Sequence, residues 1–308
     1  MSKNSLVTEL KDAYNKSREI FTDARNNNNN LSDINSLNQN QHIAHGLAWY
    51  ATYVESLLQL SKWIEYLEIN NRLTDLEEGI AGVGAGEYCL QIMHGIPMSQ
   101  NETIRPDELG IPNEKIEEFK RITKSLTQRS TSFEKNRVMS ILQQGIESGI
   151  QPDDGLDETY QEIKNQFKRF VDDEITPHAH EWHMNDDYIP LEIIKKMSEL
   201  GVFGLTIPEE YGGLGLEKKA MCIVSEELSR GWVGVGSLGT RSEIAAELIL
   251  IGGTEDQKQK YLSKISNGEI FPTAVFSEPD IGSDLAHLKT RGNAKGCLLY
   301  TSPSPRDS

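Results

Sequence analysis

The sequence lacks any apolar run long enough to cross a membrane: no stretch of about 18 consecutive apolar residues occurs anywhere in the chain. Its N-terminus, MSKNSLVTELKDAY, also lacks the apolar core of a secretory signal, and its acidic residues argue against a transit peptide. These absences exclude a membrane span. They lead us to expect a cytoplasmic protein.

Cysteine is scarce, with Cys89, Cys222 and Cys297 widely separated along the chain. An odd number of isolated cysteines excludes a disulfide framework and a CxxC metal site, and favours unpaired thiols in a reducing compartment.

Basic residues are few relative to acidic ones, and the formal net charge is −16. Nucleic-acid binding depends on clustered Lys and Arg that neutralise phosphates, so this balance excludes a nucleic-acid partner. The ordinary consequence of such a charge is solubility.

What is present is helical periodicity. Residues 1–24 and a long stretch from Ile43 carry apolar residues at steps of three and four, typical of amphipathic helices. The asparagine run 26–30 interrupts this pattern and predicts a flexible connection. Further helices are expected near 73–93, 113–124 and 133–144. Residues 1–150 are therefore predicted to form an all-helical module, with a linker at 145–155.

A second helical array is predicted over 156–270. Pro190 is expected at the first position of one of its helices and Gly201 just past the end, and Thr254 is expected to open another helix through a capping box. The run FPTAVFS at 271–277 has the β-branched and aromatic composition of a strand. The tail CLLYTSPSPRDS, with Pro303 and Pro305, is expected neither to continue a sheet nor to be native, so the chain is interpreted as truncated near residue 297.

The segment FSEPDIGSD at 276–284 carries the chemistry. Gly282 permits close approach of the backbone, and Ser277 and Ser283 offer hydroxyl donors suited to a ligand with polar ring edges or phosphates. An ordinary strand and turn would contain the same residue types, so chemistry alone leaves both readings open.

This segment resembles the (T/S)-E-P-x-x-G-S-D motif of the acyl-CoA dehydrogenase family. Two other segments resemble family elements in the same order: LGVFGLTIPEEYGGLGL at 200–216 and GTEDQKQKYL at 253–262. The resemblance covers about 156–295. It implies a mainly α protein: a helical N-terminal extension (1–150), the family's helical N-terminal domain (156–270) and the first strand of its flavin-binding β domain (271–296).

The resemblance also implies FAD as cofactor and an acyl-CoA substrate. Phe276 and Ser277 would contact the flavin ring, with Ser277 near N5, and Gly282 and Ser283 would lie where flavin and thioester meet. The family's catalytic glutamate belongs to a C-terminal domain that this chain does not contain. No residue here is therefore assigned as catalytic, and the chain as written is expected to be inactive. The intact enzyme would pass electrons to an electron-transfer flavoprotein and form homo-oligomers.

The extension distinguishes branches of the family. HGLAWYATYVE at 45–55, with GEY at 86–88 and GIPMSQ at 95–100, resembles the extension of the branch that oxidises methylsuccinyl-CoA to mesaconyl-CoA in the ethylmalonyl-CoA pathway. Arg241 falls where family members line the far end of the acyl pocket. An arginine there suits a substrate that ends in a carboxylate. The alternative is that Arg241 is a surface or helix-capping residue.

Other features are interpreted as structural. The histidines of the HxHxxH cluster 178–183 are predicted to be solvated, so no metal site is expected. GVGAG at 82–86 follows no strand and predicts a small-residue helix contact or a helix break instead of a dinucleotide loop. Trp49, Tyr50, Tyr53 and Trp63 are expected to pack in the core or between domains.

Two alternative functions remain open on the sequence. The chain could belong to another acyl-CoA dehydrogenase that carries an unrelated helical extension. An aliphatic acyl pocket without a buried arginine would indicate this alternative. It could also be a non-catalytic helical interaction module that docks through residues 1–150.

Overall fold

The computed structural model describes residues 5–149, 151–273, 275–295 and 298–301, with side chains up to residue 291. The chain divides into two compact units, Met1–Leu156 (unit 1) and Asp157–Ser308 (unit 2). Helices dominate both units, which confirms the mainly α prediction.

Unit 1 is a helical array with one short β-ladder. Its α-helices are α1 Leu6–Asn27, α2 Ile34–Gln39, α3 Gln41–Ile69, α4 Asp75–His94, α5 Asn113–Ile122, α6 Lys124–Gln128 and α7 Ser132–Glu147. Strands β1 Ile96–Pro97 and β2 Thr103–Ile104 pair antiparallel between α4 and α5. These two short strands have no signal in the sequence pattern.

The asparagine run is held in place, so the predicted flexible connection there is wrong. Helix α1 extends to Asn27, and Asn29–Ser32 forms a turn of 3-10 helix. The Asn27 side-chain amide donates to the Gly110 carbonyl at 2.9 Å, and that of Asn28 donates to the Leu109 carbonyl at 3.2 Å. Asparagine thus satisfies carbonyls of a distant loop, a role that a composition argument does not reveal.

The aromatic residues of α3 line the core of unit 1, as predicted. Tyr50 is 1% exposed and stacks on Phe21, and Tyr53 is buried against Tyr88 at 4.7 Å between ring centroids. Trp49 and Trp63 pack on the same core while partly exposed. Burial raises the pKa of the neighbouring Cys89 thiol to about 12, so this cysteine is an inert core residue.

The glycines of α4 allow other helices to approach closely. An added Cβ at Gly82 would lie 2.8 Å from Arg129 Cδ, and one at Gly86 would lie 2.5 Å from the Leu126 carbonyl oxygen. At Gly79 the corresponding contact is Val138 Cγ2 at 2.7 Å. The GVGAG segment is therefore a small-residue helix contact, which confirms that interpretation.

The end of unit 1 is fixed by a polar clamp centred on Arg72. Its guanidinium donates to both carboxylate oxygens of Asp153, at 2.7 and 2.6 Å, and to the Leu156 carbonyl at 3.1 Å. The Asp153 backbone N–H donates to the buried Glu77 carboxylate at 2.9 Å, and the Trp63 indole N–H donates to the Asp153 carbonyl at 3.0 Å. Residues 151–156 are thus held against unit 1.

Both carboxylates of this clamp are stabilised in their ionised form. Burial alone would raise the pKa of Asp153, but hydrogen bonds from Arg72 and the Gly155 amide outweigh it and hold that pKa below its usual range. Burial likewise opposes ionisation of Glu77, and hydrogen bonds from Thr74 and the Asp153 amide lower its pKa.

Unit 2 begins with an array of helices. They are α8 Glu158–Glu174, α9 Thr176–Met184, α10 Leu191–Glu199, α11 Lys218–Gly231, α12 Val233–Gly252 and α13 Glu255–Ser266. Local signals set several of their ends. Gly201 takes a left-handed φ of 78° just past α10, and Thr254 forms the predicted capping box with Gln257. Pro190, the predicted first residue of this helix, is its N-cap, so α10 begins one position later than predicted.

The predicted strand at 271–277 is not formed in the described part of that segment. The ladder hydrogen bonds of a strand come from a neighbouring strand, and no described strand lies beside this segment. Strands are found further on, where β3 Gly292–Lys295 pairs antiparallel with β4 Leu298–Thr301. The expectation that the tail cannot continue a sheet is therefore wrong for those four residues. Cys297 and both prolines of the tail lie outside the described residues.

We expect Gly86→Ala to destabilise unit 1 by about 1–3 kcal/mol, because the new methyl group would overlap backbone that cannot move freely. Gly84→Ala in the same helix is the matched control. Its Cβ would meet only Leu60 Cδ1 at 4.0 Å, so removing a helical glycine should stabilise by about 0.5–1 kcal/mol. Urea titration of the chain, with hydrogen exchange of α4 as the probe, measures both. Equal effects of the two substitutions would refute the close-contact explanation.

We expect Arg72→Ala to lower the stability of unit 1 by about 2–3 kcal/mol, since it leaves the Asp153 carboxylate and the Leu156 carbonyl without their donor. Arg105→Ala is the control, because the Arg105 side chain is 60% exposed and lies 4.0 Å from Glu108. Limited proteolysis should also cut within 151–156 faster in Arg72→Ala. Unchanged cleavage there would show that the clamp does not hold this segment.

Candidate functional site

The motif segment 276–284 lies in the loop that follows α13 in unit 2. The chain leaves α13 through Gly268, which has a left-handed φ of 73°, and the Ser198 hydroxyl donates to the Asn267 carbonyl at 2.6 Å. Phe271 then packs edge-to-face on Phe203, with ring centroids 5.1 Å apart. These contacts fix where the segment starts.

The centre of the loop is a tight backbone pairing between Glu278 and Ile281. The Glu278 N–H donates to the Ile281 carbonyl at 2.9 Å, and the Ile281 N–H donates to the Glu278 carbonyl at 3.1 Å. Ile281 is buried, whereas the loop residues on either side of it are exposed. This one apolar side chain therefore anchors the loop.

The Glu278 side chain makes a second set of hydrogen bonds. Its carboxylate accepts from the Lys289 N–H at 3.0 and 3.1 Å, from the Thr290 N–H at 2.7 Å and from the Thr290 hydroxyl. The hydrogen bond from the Thr290 hydroxyl, followed by those from the two amides, lowers the pKa of this carboxyl. Sequence reasoning missed this residue, because its partners lie eleven and twelve positions away.

The predicted ligand-contacting residues of the loop are open to solvent. Phe276 is 36% exposed, and Ser277, Gly282 and Ser283 are exposed as well. Within the described part of the chain, the two serine hydroxyls and the backbone N–H groups of all four residues have no hydrogen-bond partner. An added Cβ at Gly282 would meet nothing within 4 Å. The loop thus brings these four residues together and presents unused donors.

Arg241 is part of α12 and not of this loop. It is exposed, and no described residue forms an ion pair or hydrogen bond with its guanidinium. Ile244 and Leu248 follow on the same helix face at 40% and 58% exposure. Arg241 therefore stands in an exposed apolar stripe, while Glu243 and Glu247 of the same helix are paired with Lys218. No hydrogen bond or ion pair among the described residues connects Arg241 to the loop.

The remaining candidates do not build a site. No group of three or more potential metal ligands clusters within the described residues, and the His178 ring stacks on Trp182 with centroids 5.5 Å apart. No helix in the described ranges is long and apolar enough to cross a membrane.

Comparison with known proteins identifies the central part of the chain. Residues 157–269 match the family model "Acyl-CoA dehydrogenase, N-terminal domain". The chain is 49% identical over 265 residues to (2S)-methylsuccinyl-CoA dehydrogenase of Cereibacter sphaeroides, a match that covers 85% of this chain and 47% of that protein.

Other relatives match a shorter part. Isovaleryl-CoA dehydrogenase of Solanum tuberosum is 36% identical over 141 residues, which is 45% of this chain and 34% of its own length. The 2-methylacyl-CoA dehydrogenase of the same plant is 38% identical over 142 residues, again 45% of this chain and 34% of its own length. The chain thus spans half or less of the length of these relatives.

The family model begins at the first residue of unit 2 and ends just after α13. It therefore covers the helices of that unit and stops before the loop of the candidate site. The chain contains, over residues 157–269, the N-terminal domain of the acyl-CoA dehydrogenase family.

Proposed function

We propose that this chain is the front part of an FAD-dependent enzyme that oxidises (2S)-methylsuccinyl-CoA to mesaconyl-CoA. The observation that carries the proposal is the extent of the match to methylsuccinyl-CoA dehydrogenase. An alignment of 265 residues is longer than unit 2 and so includes much of unit 1. The isovaleryl-CoA and 2-methylacyl-CoA dehydrogenase matches, of 141 and 142 residues, are shorter than unit 2.

This difference favours the methylsuccinyl-CoA branch over a general acyl-CoA dehydrogenase with an unrelated extension. We assign residues 1–150 as the helical extension, 156–270 as the dehydrogenase helical domain, 271–296 as the start of the flavin-binding domain and 297–308 as a non-native tail. The extension packs around its own apolar core and presents no cluster of potential metal ligands among its described residues, in keeping with a packing role.

The loop 276–283 is proposed to hold the flavin. Its chemistry fits such a group, since the N–H and hydroxyl donors at Phe276, Ser277 and Ser283, which have no partner among the described residues, suit the polar edge of the ring. The open space at Gly282 would admit a ligand close to the backbone. When bound, FAD supplies the acceptor for the β-hydride. The donors of this loop would hold the polar edge of the ring and favour its negatively charged reduced form, and Ser277 would serve the N5 side.

The α-proton must leave to a base, and the acidity of that carbon depends on polarisation of the thioester carbonyl. Gly282 and Ser283 are proposed to lie at the junction of flavin and thioester. No residue of this chain is assigned as the base, so the chain alone is expected to be inactive. Electron-transfer flavoprotein as acceptor, assembly into homo-oligomers and a cytoplasmic location in the ethylmalonyl-CoA pathway belong to the same proposal for the intact protein.

Arg241 is proposed to bind the free carboxylate of the substrate. Its guanidinium has no partner among the described residues, and its helix face is apolar. An unpaired arginine is costly to bury, so a face of this kind covered by the rest of an enzyme requires an anionic partner. The substrate carboxylate can accept two parallel hydrogen bonds from the arginine fork.

The first test is the sequence of the gene beyond the codon for Gly296, followed by assay of the complete protein with methylsuccinyl-CoA, isovaleryl-CoA and an electron acceptor. We expect the reading frame to continue into further β-strands and a helical domain containing a glutamate base. We also expect turnover to favour methylsuccinyl-CoA. A reading frame that ends at Ser308 would instead support the non-catalytic interaction module.

In the complete protein, we expect Arg241→Met to raise the KM for methylsuccinyl-CoA by about 10–100-fold, because the substitution removes a charge-assisted hydrogen bond to the substrate carboxylate. Isovaleryl-CoA, which has no terminal carboxylate, is the control substrate, and its KM should change little. Arg241→Lys keeps the charge but not the fork, so its effect should fall between those of wild type and Arg241→Met. An equal loss with both substrates would place Arg241 outside the acyl pocket.

A further inference from the structure

We infer that Glu278 is a positioning residue that fixes the shape of the loop carrying Ser277, Gly282 and Ser283. The inference builds on the proposed function, because the value of a fixed loop lies in holding donors ready for the flavin. The Glu278 carboxylate does not itself serve the flavin, because its oxygens accept hydrogen bonds from Lys289 and Thr290.

Glu278 joins the loop at two places. Its backbone pairs with the buried Ile281, and its side chain pairs with the segment entering β3. Gly282 and Ser283 lie directly after Ile281, on the stretch of chain between these two attachments. A single residue therefore closes the loop from both sides and limits where those donors can lie.

The hydrogen-bond count explains why a glutamate is needed. One oxygen accepts from the Lys289 N–H, the Thr290 N–H and the Thr290 hydroxyl, while the other also faces the Lys289 N–H. Glutamine would place an N–H₂ donor against one of these donors, and aspartate is one methylene too short. Charge-assisted hydrogen bonds from backbone amides are also stronger than neutral ones.

The neighbouring carboxylate provides a matched control. Asp280 is in the same loop, but its side chain is 83% exposed and makes only a 3.8 Å ion pair with Lys289. Removing the charge of Asp280 should therefore leave the loop as it is. Removing the charge of Glu278 should change the structure of the loop.

The test is hydrogen exchange on the 308-residue chain, comparing wild type with Glu278→Ala, Glu278→Gln and Asp280→Asn. In Glu278→Ala we expect exchange about tenfold faster at the Lys289 and Thr290 amides, which lose their acceptor. We expect a similar increase at the amides of residues 278 and 281, whose backbone acceptors the substitution leaves in place. Glu278→Gln, which keeps one acceptor oxygen, should restore part of this protection, and Asp280→Asn should match wild type.

Faster exchange confined to residues 289 and 290 would overturn the inference, because the carboxylate would then act only on its direct partners. A separate FAD titration of the same proteins, followed by flavin fluorescence, tests the link to the proposed function. If wild type binds FAD, Glu278→Ala should bind about tenfold more weakly and Asp280→Asn equally well. If wild type does not bind FAD, flavin binding by this chain fails, while the exchange at residues 278 and 281 still decides the role of Glu278.

Discussion

The bidentate ion pair between Arg72 and Asp153 determines where unit 1 ends. A guanidinium and a carboxylate meet across 81 positions of sequence, and the same guanidinium holds the Leu156 carbonyl. Glu77 contributes from the other side, since its carboxylate both caps the first turn of α4 and accepts from the Asp153 amide. The residues that begin α4 therefore also fix the chain as it leaves the unit. Residues 151–155, which the composition predicts to be part of a linker, therefore belong to the folded unit 1.

The candidate site depends on the same kind of interaction at a smaller scale. In both places a carboxylate accepts hydrogen bonds that lower its pKa: Asp153 from the Arg72 guanidinium and the Gly155 amide, and Glu278 from Thr290 and the Lys289 amide. A loop has few backbone hydrogen bonds of its own, so one ionised acceptor can replace a ladder of weaker contacts.

Local signals in the sequence were sufficient for most of the helices and for the family. The Thr254 capping box and the turn at Gly201 both act within a few residues, and each is found where expected. The motif residues 276–283 were located on one loop for the same reason. Their roles toward a ligand follow from resemblance and stay predictions.

Interactions between distant positions could not be predicted from the sequence. The run FPTAVFS has the composition of a strand, yet its described residues lack a neighbouring strand to complete the ladder. The clamp at Arg72, the anchoring of Asn28 and the support from Glu278 each join residues with no shared local pattern. Periodicity describes which face of an element is apolar, but it does not identify the partner of a single polar group.

The glycine contacts of α4 have a consequence for how this protein can change over generations. Every single-nucleotide change of a glycine codon that alters the residue introduces a larger side chain. At Gly86 even the smallest of these meets the Leu126 carbonyl. A substitution at that codon therefore costs stability, while the nearby Gly84 has room for alanine. Lineages descended from this protein should accumulate fewer substitutions at position 86 than at position 84, although the two lie about half a helical turn apart.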